Sequence, residues 1–302
     1  MYDRSIYKDN KYTNLVLIET ARGCRFSCEF CSISSFFKQS YNPRPVEDVI
    51  NELKAINKSK IVFFVDDNIA VDFERTYTLL AEVKKLNIKW ISQVSMNVAK
   101  DENLVKLMKD SGCLGVLTGF ESVDSNNIKQ MAKGVNSDTV NYEKAVSVFK
   151  KYNLIIYGTF IFGYDYDTYE TFKKTFHFIQ KHKFFFSAFN HLVPFPGTPI
   201  YKRLEKEKRL LFDKWWLSDK YKFGDIAFKP KAISSEELSH LCFMYRKKMY
   251  SLLSILKRGL DFRCNCRTPL RFYAFFNSNL SSKSDVKLRQ GLPLGIKEEN
   301  EL

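Results

Sequence analysis

Short apolar or β-branched runs recur through the first two thirds of the chain, at residues 14–20 (NLVLIET), 60–66 (KIVFFVD), 89–95 (KWISQVS), 113–120 (CLGVLTGF), 154–162 (LIIYGTFIF) and 184–193 (FFFSAFNHLV). Each has the length and apolar density of a buried strand. Between them, helical periodicity predicts helices over 46–57, 72–86, 103–110, 137–152 and 168–181. Regular alternation of strand and helix predicts right-handed βαβ crossovers and a parallel sheet, because each helix returns the chain to start the next strand in the same direction. Six such units suit a doubly wound sheet or a partly closed barrel. Both architectures put functional loops at the carboxyl ends of the strands.

The alternation ends near PFPGTPIYKRL (194–204), a proline-rich turn leading into a charged helix. Beyond it, KWWLSDKYKFGDIAFKP is aromatic and irregular, and SSEELSHLCFMYRKKMYSLLSILKRGL opens with a helix-capping pattern. Residues 281–302 read as loosely ordered. The expected organisation is a lead-in over 1–13, an α/β core over 14–205, and a mainly helical or irregular extension over 206–302.

At 302 residues, 45% hydrophobic and 27% charged, the composition is that of a globular protein and excludes a disordered one. No apolar run approaches the roughly 20 residues that span a bilayer, and the N-terminus lacks the apolar centre of a secretory signal, so a cytoplasmic location is expected. A formal charge of +14 attracts nucleic acid, anionic lipid or acidic partners. Much of the excess is scattered lysine without a groove-reading motif, which makes nucleic acid the lesser expectation.

Seven cysteines, an odd number unevenly placed, do not form a disulfide pattern; metal ligation or free thiols fit better. Cys24, Cys28 and Cys31 crowd one loop, RGCRFSCEFCS, after the first predicted strand. A structural zinc site closes with four protein ligands, and the four histidines lie in unrelated segments. Three thiolates can instead bind three irons of a [4Fe–4S] cluster and leave the fourth iron open.

That CxxxCxxC spacing, with Phe30 before the last cysteine, resembles the radical S-adenosylmethionine (SAM) superfamily. The resemblance covers about residues 14 to 205 and is nearest to the subgroup that contains cobalamin-dependent enzymes, through ETARGCRFSCEFCS, FFVDDNIAVD, GFESVDSNNIKQMAKGV, GTFIFGYDYDTYETF and PFPGTPIY. It implies a partial (β/α)6 TIM-like barrel with the cluster at the mouth. In that family SAM binds the open iron and is cleaved reductively to methionine and a 5′-deoxyadenosyl radical, with an electron donor such as flavodoxin or ferredoxin. The expected function is therefore modification of a small-molecule or lipid-like substrate by methylation, cyclisation or rearrangement. The alternative is an accessory or binding barrel working with a separate cobalamin-binding subunit or nucleic acid.

Asp66 and Asp67 stand where the family has a Gly-Gly-Glu or a substitute carboxylate, and a carboxylate there can accept from SAM's ammonium group. A solvated turn opening the next helix is the simpler alternative. Gln93 and Ser95 share a strand face and could meet SAM's carboxylate or ribose, or satisfy one another. Glu121 matches the family's acidic residue near the ribose, and Gly163 a close approach to the adenine. Lys133 also matches a family position, although a surface lysine before a helix-ending glycine explains it as well.

On the sixth strand, Phe189 and His191 are spaced to share the barrel's interior face and line a dry pocket, or else to fill the core. Cys113 and Cys242 read as core thiols, and Cys264 and Cys266 lack partners for a second cluster. Only thirteen residues precede the first strand and no Asp-x-His-x-x-Gly motif occurs, which leaves cobalamin dependence open. The helix YRKKMYSLLSILKRG is a candidate for peripheral membrane contact or for packing on the barrel by its apolar stripe.

Overall fold

The computed structural model describes residues 14–132 and 141–293. The lead-in, Lys133 and the last nine residues lie outside the described residues. In chain order the elements are β1 (Leu15–Ile18), β2 (Ala21–Gly23), α1 (Ser32–Phe36), β3 (Tyr41–Pro43), α2 (Val46–Lys54), β4 (Ile61–Phe64) and α3 (Phe73–Leu86). They continue with β5 (Lys89–Gln93), α4 (Glu102–Asp110), β6 (Cys113–Glu121), α5 (Ser125–Gln130), α6 (Tyr142–Lys151), β7 (Ile155–Phe162), α7 (Tyr169–Lys181) and β8 (Phe186–His191). The chain ends in α8 (Pro199–Lys206), α9 (Ser235–Met249), α10 (Leu252–Gly259) and α11 (Pro269–Arg289).

All six expected strands form, and they make one sheet in the order β1, β4, β5, β6, β7, β8, parallel at every pairing. This is the α/β sheet of a partial barrel. β2 and β3, an antiparallel pair, were not expected from the pattern and flank the cysteine loop, one before it and one after. Helix starts follow capping chemistry: Asp72, Asp101, Asp124 and Asn141 each accept a hydrogen bond from a backbone N–H of the first turn.

One face of the sheet packs on the helices. Val62, Phe64, Trp90, Phe120, Phe160, Phe162 and Phe189 are fully buried there. Phe162 stacks on Phe172 of α7 with centroids 3.9 Å apart, and Phe189 stacks on Tyr245 of α9 at 5.7 Å. The alternate residues, among them Leu17, Phe63, Gln93, Leu117, Thr159 and Asn190, lie on the concave face and keep solvent exposure.

Phe189 therefore faces helices, and His191, two residues on, lies on that same face, held down to about 4 by burial and by the charge of Arg246 on α9. Of the two alternatives for this pair, pocket lining and core filling, the structure keeps both residues off the cavity wall and buries Phe189 in the core. Alternation defines two faces of a strand, and the helices, not the residue sizes, decide which one is inward.

The extension seals the amino end of the last strands and the β8 edge. Arg258, with no exposed surface, donates to the carbonyls of Phe184, Phe185 and Met249 and to Asn279 Oδ1 at 2.8–3.0 Å. Arg271 Nη1 donates to Asn153 O at 3.1 Å, and Tyr250 donates to Ser187 O at 3.0 Å. Of these acceptors Ser187 O belongs to the edge strand β8, and the other backbone carbonyls lie in the turns before β7 and β8 and at the end of α9, where buried carbonyls need a donor. The loose order expected from residue 281 is corrected: α11 runs to Arg289, capped by Thr268 and held by buried Phe275 and Asn279.

Candidate active site at the carboxyl ends of the strands

Gly23 aims the cysteine loop. Its φ of +84° is left-handed, and a Cβ there would meet Ser40 O at 2.3 Å, so only glycine lets β2 lie this close to the turn before β3. Cys24 and Cys28 are buried and Cys31 half-buried; a turn bonds Cys31 N to Cys28 O at 3.1 Å, and Cys31 then begins α1.

Glu29, within the loop, fastens it to two other segments, the end of α5 and α8. Its N–H donates to Met131 O and its carbonyl accepts from Ile200 N, both at 3.1 Å, while Arg203 Nη2 donates to its carboxylate at 2.8 Å. Arg203 also faces Asp165, which Arg209 and Lys231 approach at 3.0 and 2.9 Å.

The three cysteines line one cavity of about 290 Å3 together with Phe30, Asp67, Gln93, Ser95 and Glu121. Eight of the ten residues singled out in the sequence thus come together. Burial, and then the charge of Glu19, push the Asp67 carboxyl up. Gln93 Nε2 donates to Asp67 O at 3.3 Å, and Asn68 Nδ2 donates to Ser95 Oγ. Glu121 is buried and sits in the left-handed region at φ +63°, where the pairing of β6 with β7 shifts register.

Two residues fall elsewhere. Asp66 is buried and turns to Thr20, accepting from its N–H at 3.2 Å and from its hydroxyl at 2.8 Å; burial raises its pKa against the pull of those bonds. It braces the turn between β1 and β2. Gly163 ends β7 with φ +115°, but a Cβ there would meet Leu238 Cδ2 and Phe228 Cζ at 2.9 Å. The close approach is that of the C-terminal extension. Its N–H donates to Asp167 Oδ2 at 2.8 Å.

The sequence reading missed Asn68, Thr159 and Asn190, polar groups on the cavity wall, and Phe26 and Ser34 in the cysteine loop and α1. Residue parity would have found two of them. Once Phe160 and Phe189 belong to the core, Thr159 and Asn190 must face the other way. The remaining cysteines stay apart: Cys113, Cys242, Cys264 and Cys266 are buried, and Cys264 Sγ donates to Leu154 O at 3.3 Å.

Among the described residues, no three His, Cys, Asp or Glu side chains gather closely enough to hold a single metal ion. Three thiols spread along a cavity wall, without histidine, suit a polynuclear cluster that takes one thiolate per iron. The residues present fit a [4Fe–4S] group with one iron left for another ligand.

Known proteins agree with this geometry. The chain is 34% identical over 253 residues to the bacteriochlorophyllide d C-12(1)-methyltransferase of Chlorobaculum tepidum, covering 82% of this chain and 54% of that protein. It is 27% identical over 205 residues to the hopanoid C-2 methylase of Rhodopseudomonas palustris, covering 65% of this chain and 39% of the relative. It spans about half the length of such relatives, or less.

Among solved structures it shares its fold with the radical SAM methyltransferase TsrM from Kitasatospora setae, which holds cobalamin and a [4Fe-4S] cluster. The TM-score is 0.60 at 17% identity, over 75% of this chain and 46% of that one. The family model for the radical SAM superfamily matches residues 18–179, more than half of the 302 residues, and takes in all three loop cysteines as well as Asp67, Gln93, Ser95 and Glu121. The chain belongs to the radical SAM superfamily.

Proposed function

We propose that this chain is the catalytic barrel of an enzyme that cleaves SAM reductively and uses the product to methylate or cyclise a small-molecule or lipid-like substrate. The observation that carries the reading is the single cavity in which Cys24, Cys28 and Cys31 face Asp67, Gln93, Ser95 and Glu121. When bound, the cluster supplies the electron for cleavage, to methionine and a 5′-deoxyadenosyl radical. The three thiolates would hold it. Asp67 accepts hydrogen bonds from SAM's ammonium group, and Glu121 from its ribose hydroxyls, as charge-assisted contacts that orient the cofactor. Gln93 and Ser95 offer neutral donors beside them. Leu117 and Ile161 supply apolar wall that excludes water from a reactive carbon centre.

Methylation is favoured because the relatives named above are a methyltransferase and a methylase. A donor such as flavodoxin or ferredoxin would supply the electron, and a cytoplasmic setting would suit it. Anaerobic reconstitution with iron and sulfide tests the reading. Expected are four irons per chain and 5′-deoxyadenosine on adding SAM and reductant, both lost on changing any of the three cysteines to Ala. A reconstituted chain without cluster or cleavage product refutes it.

A second reading, a barrel that works only with a separate cobalamin-binding subunit, is favoured by one surface. Leu15, Leu17 and Val65 are 40%, 56% and 38% exposed on the cavity side of the sheet at its β1 edge. Cleavage that appears only after such a subunit is added would select it.

A further inference from the structure

The outer face of the C-terminal extension carries an uncovered apolar ridge. Leu253, Leu256 and Leu260, spaced three and four residues apart, are 64%, 56% and 60% exposed, while Ile255, Arg258 and Gly259 of the same helix pack inward. Phe262, Leu270 and Phe272, from the following link and α11, are 65%, 77% and 50% exposed. The two helices adjoin: a Cβ on Gly259 would meet Phe276 Cζ at 2.9 Å, and Phe272 packs on Phe276 with centroids 4.6 Å apart. At on the order of 100 Å2 of bare surface each, these six side chains reach the top of the roughly 300–600 Å2 range of the largest patch on a monomeric soluble protein, where such patches are often functional.

The charge around the ridge has one sign. Residues 246–273 contain eight Lys or Arg and a single acid, Asp261, which is buried against Lys150 at 2.7 Å. Lys257, Arg263 and Arg267 are exposed. Beside them Lys109 is held below the ordinary lysine value by burial and by the charges of Arg271, Lys89 and Arg267, so four cations gather on the adjoining floor of the barrel. A second copy of the chain would set these cations against their like. Nucleic acid would match the charge and leave the leucines bare. An anionic bilayer matches both, with apolar side chains at the acyl boundary and cations on lipid phosphates.

We propose that the α10–α11 face is an interfacial anchor on anionic membranes. The surface lies at the amino ends of the strands, where Arg258 and Arg271 bind the carbonyls of Phe184 and Asn153, and therefore opposite the cysteine cavity. Docking there leaves the cavity mouth turned away from the bilayer. No described helix is long and apolar enough to cross a membrane, so the contact is peripheral.

The test is cosedimentation of the full chain with phosphatidylcholine vesicles, with and without phosphatidylglycerol; it needs no cofactor and stands apart from the SAM reading. Binding is expected only to the phosphatidylglycerol vesicles, weakening as salt rises. Leu253→Asp with Leu256→Asp, and separately Lys257→Glu with Arg263→Glu, should each lower the partition coefficient at least tenfold. The second pair replaces exposed charges only and should keep the parent's melting temperature. The proposal is overturned if the parent pellets with neither vesicle or equally with both, or if the folded charge variant binds as the parent does. A dimer in ultracentrifugation that the leucine substitutions abolish, without vesicle binding, assigns the ridge to a second copy instead.

Discussion

Asp66 and Asp67 are adjacent carboxylates with opposite expected phenotypes. Asp66→Ala removes the acceptor for the Thr20 N–H and hydroxyl, both in a buried turn. A buried donor left unpaired costs about 1–3 kcal/mol, and a hydrogen bond to an ionised partner sits toward the top of that range. The Thr20 hydroxyl can rotate to another acceptor, so the backbone N–H dominates and the expected loss is about 3 kcal/mol, a fall of roughly 5 °C in Tm for a chain of this length.

Asp67→Ala removes a carboxylate that lines the cavity, and stability should change by no more than about 0.5 kcal/mol. In the anaerobically reconstituted protein it should leave iron content intact and weaken SAM binding about 10- to 100-fold, the range of one charge-assisted hydrogen bond. Differential scanning calorimetry and SAM titration of the two variants separate the roles. Equal loss of Tm in both, or unchanged SAM affinity in Asp67→Ala, would refute the division.

Two further predictions follow from the charged groups around the loop. Arg203→Met leaves the mostly buried Glu29 carboxylate without its 2.8 Å partner; scaled down from a fully buried pair, the cost is about 2 kcal/mol, and adding Glu29→Gln should recover most of it in a double-mutant cycle read by thermal melting, so additive losses would count against the anchor. Burial pushes Asp167 up to about 7, above the roughly 3.9 of an unfolded aspartate; the stability carried by its neutral form is full below about pH 4 and lost as pH rises through 7, so Tm should fall between pH 5 and 8, and Asp167→Asn should flatten that slope, with an unchanged slope as the contrary result.

The strands were legible because a parallel sheet covered by helices needs runs of apolar residues, and the cysteine loop was legible because its ligands are contiguous. What escaped reading depended on tertiary neighbours. The sequence VDDN does not tell which carboxylate bonds the turn behind it, since that depends on where Thr20 arrives from β1, 46 residues earlier. Gly163 was read as a close approach to the adenine, but the groups that crowd it, Leu238 and Phe228, come from the extension. The Ser- and Asn-rich end of α11 looks loose in isolation; Asn279 becomes a core residue only when Arg258 donates to its Oδ1 and its Nδ2 donates to the carbonyls of Phe185 and Phe275.

The two edges of the sheet are treated differently, and the difference bears on how a second component would reach the cavity. At β8, Tyr250 of the extension donates to Ser187 O, Arg258 to Phe185 O just before the strand, and Tyr245 stacks on Phe189. Approach from that side would break buried hydrogen bonds at about 1–3 kcal/mol each. At β1 the apolar side chains of Leu15 and Leu17 stand exposed on the cavity side. Covering them gains apolar burial and displaces none of the extension's contacts. A separate cobalamin-binding subunit that reaches the cavity is therefore expected to dock along β1, where Leu17→Asp should weaken its binding and leave the isolated barrel's Tm unchanged.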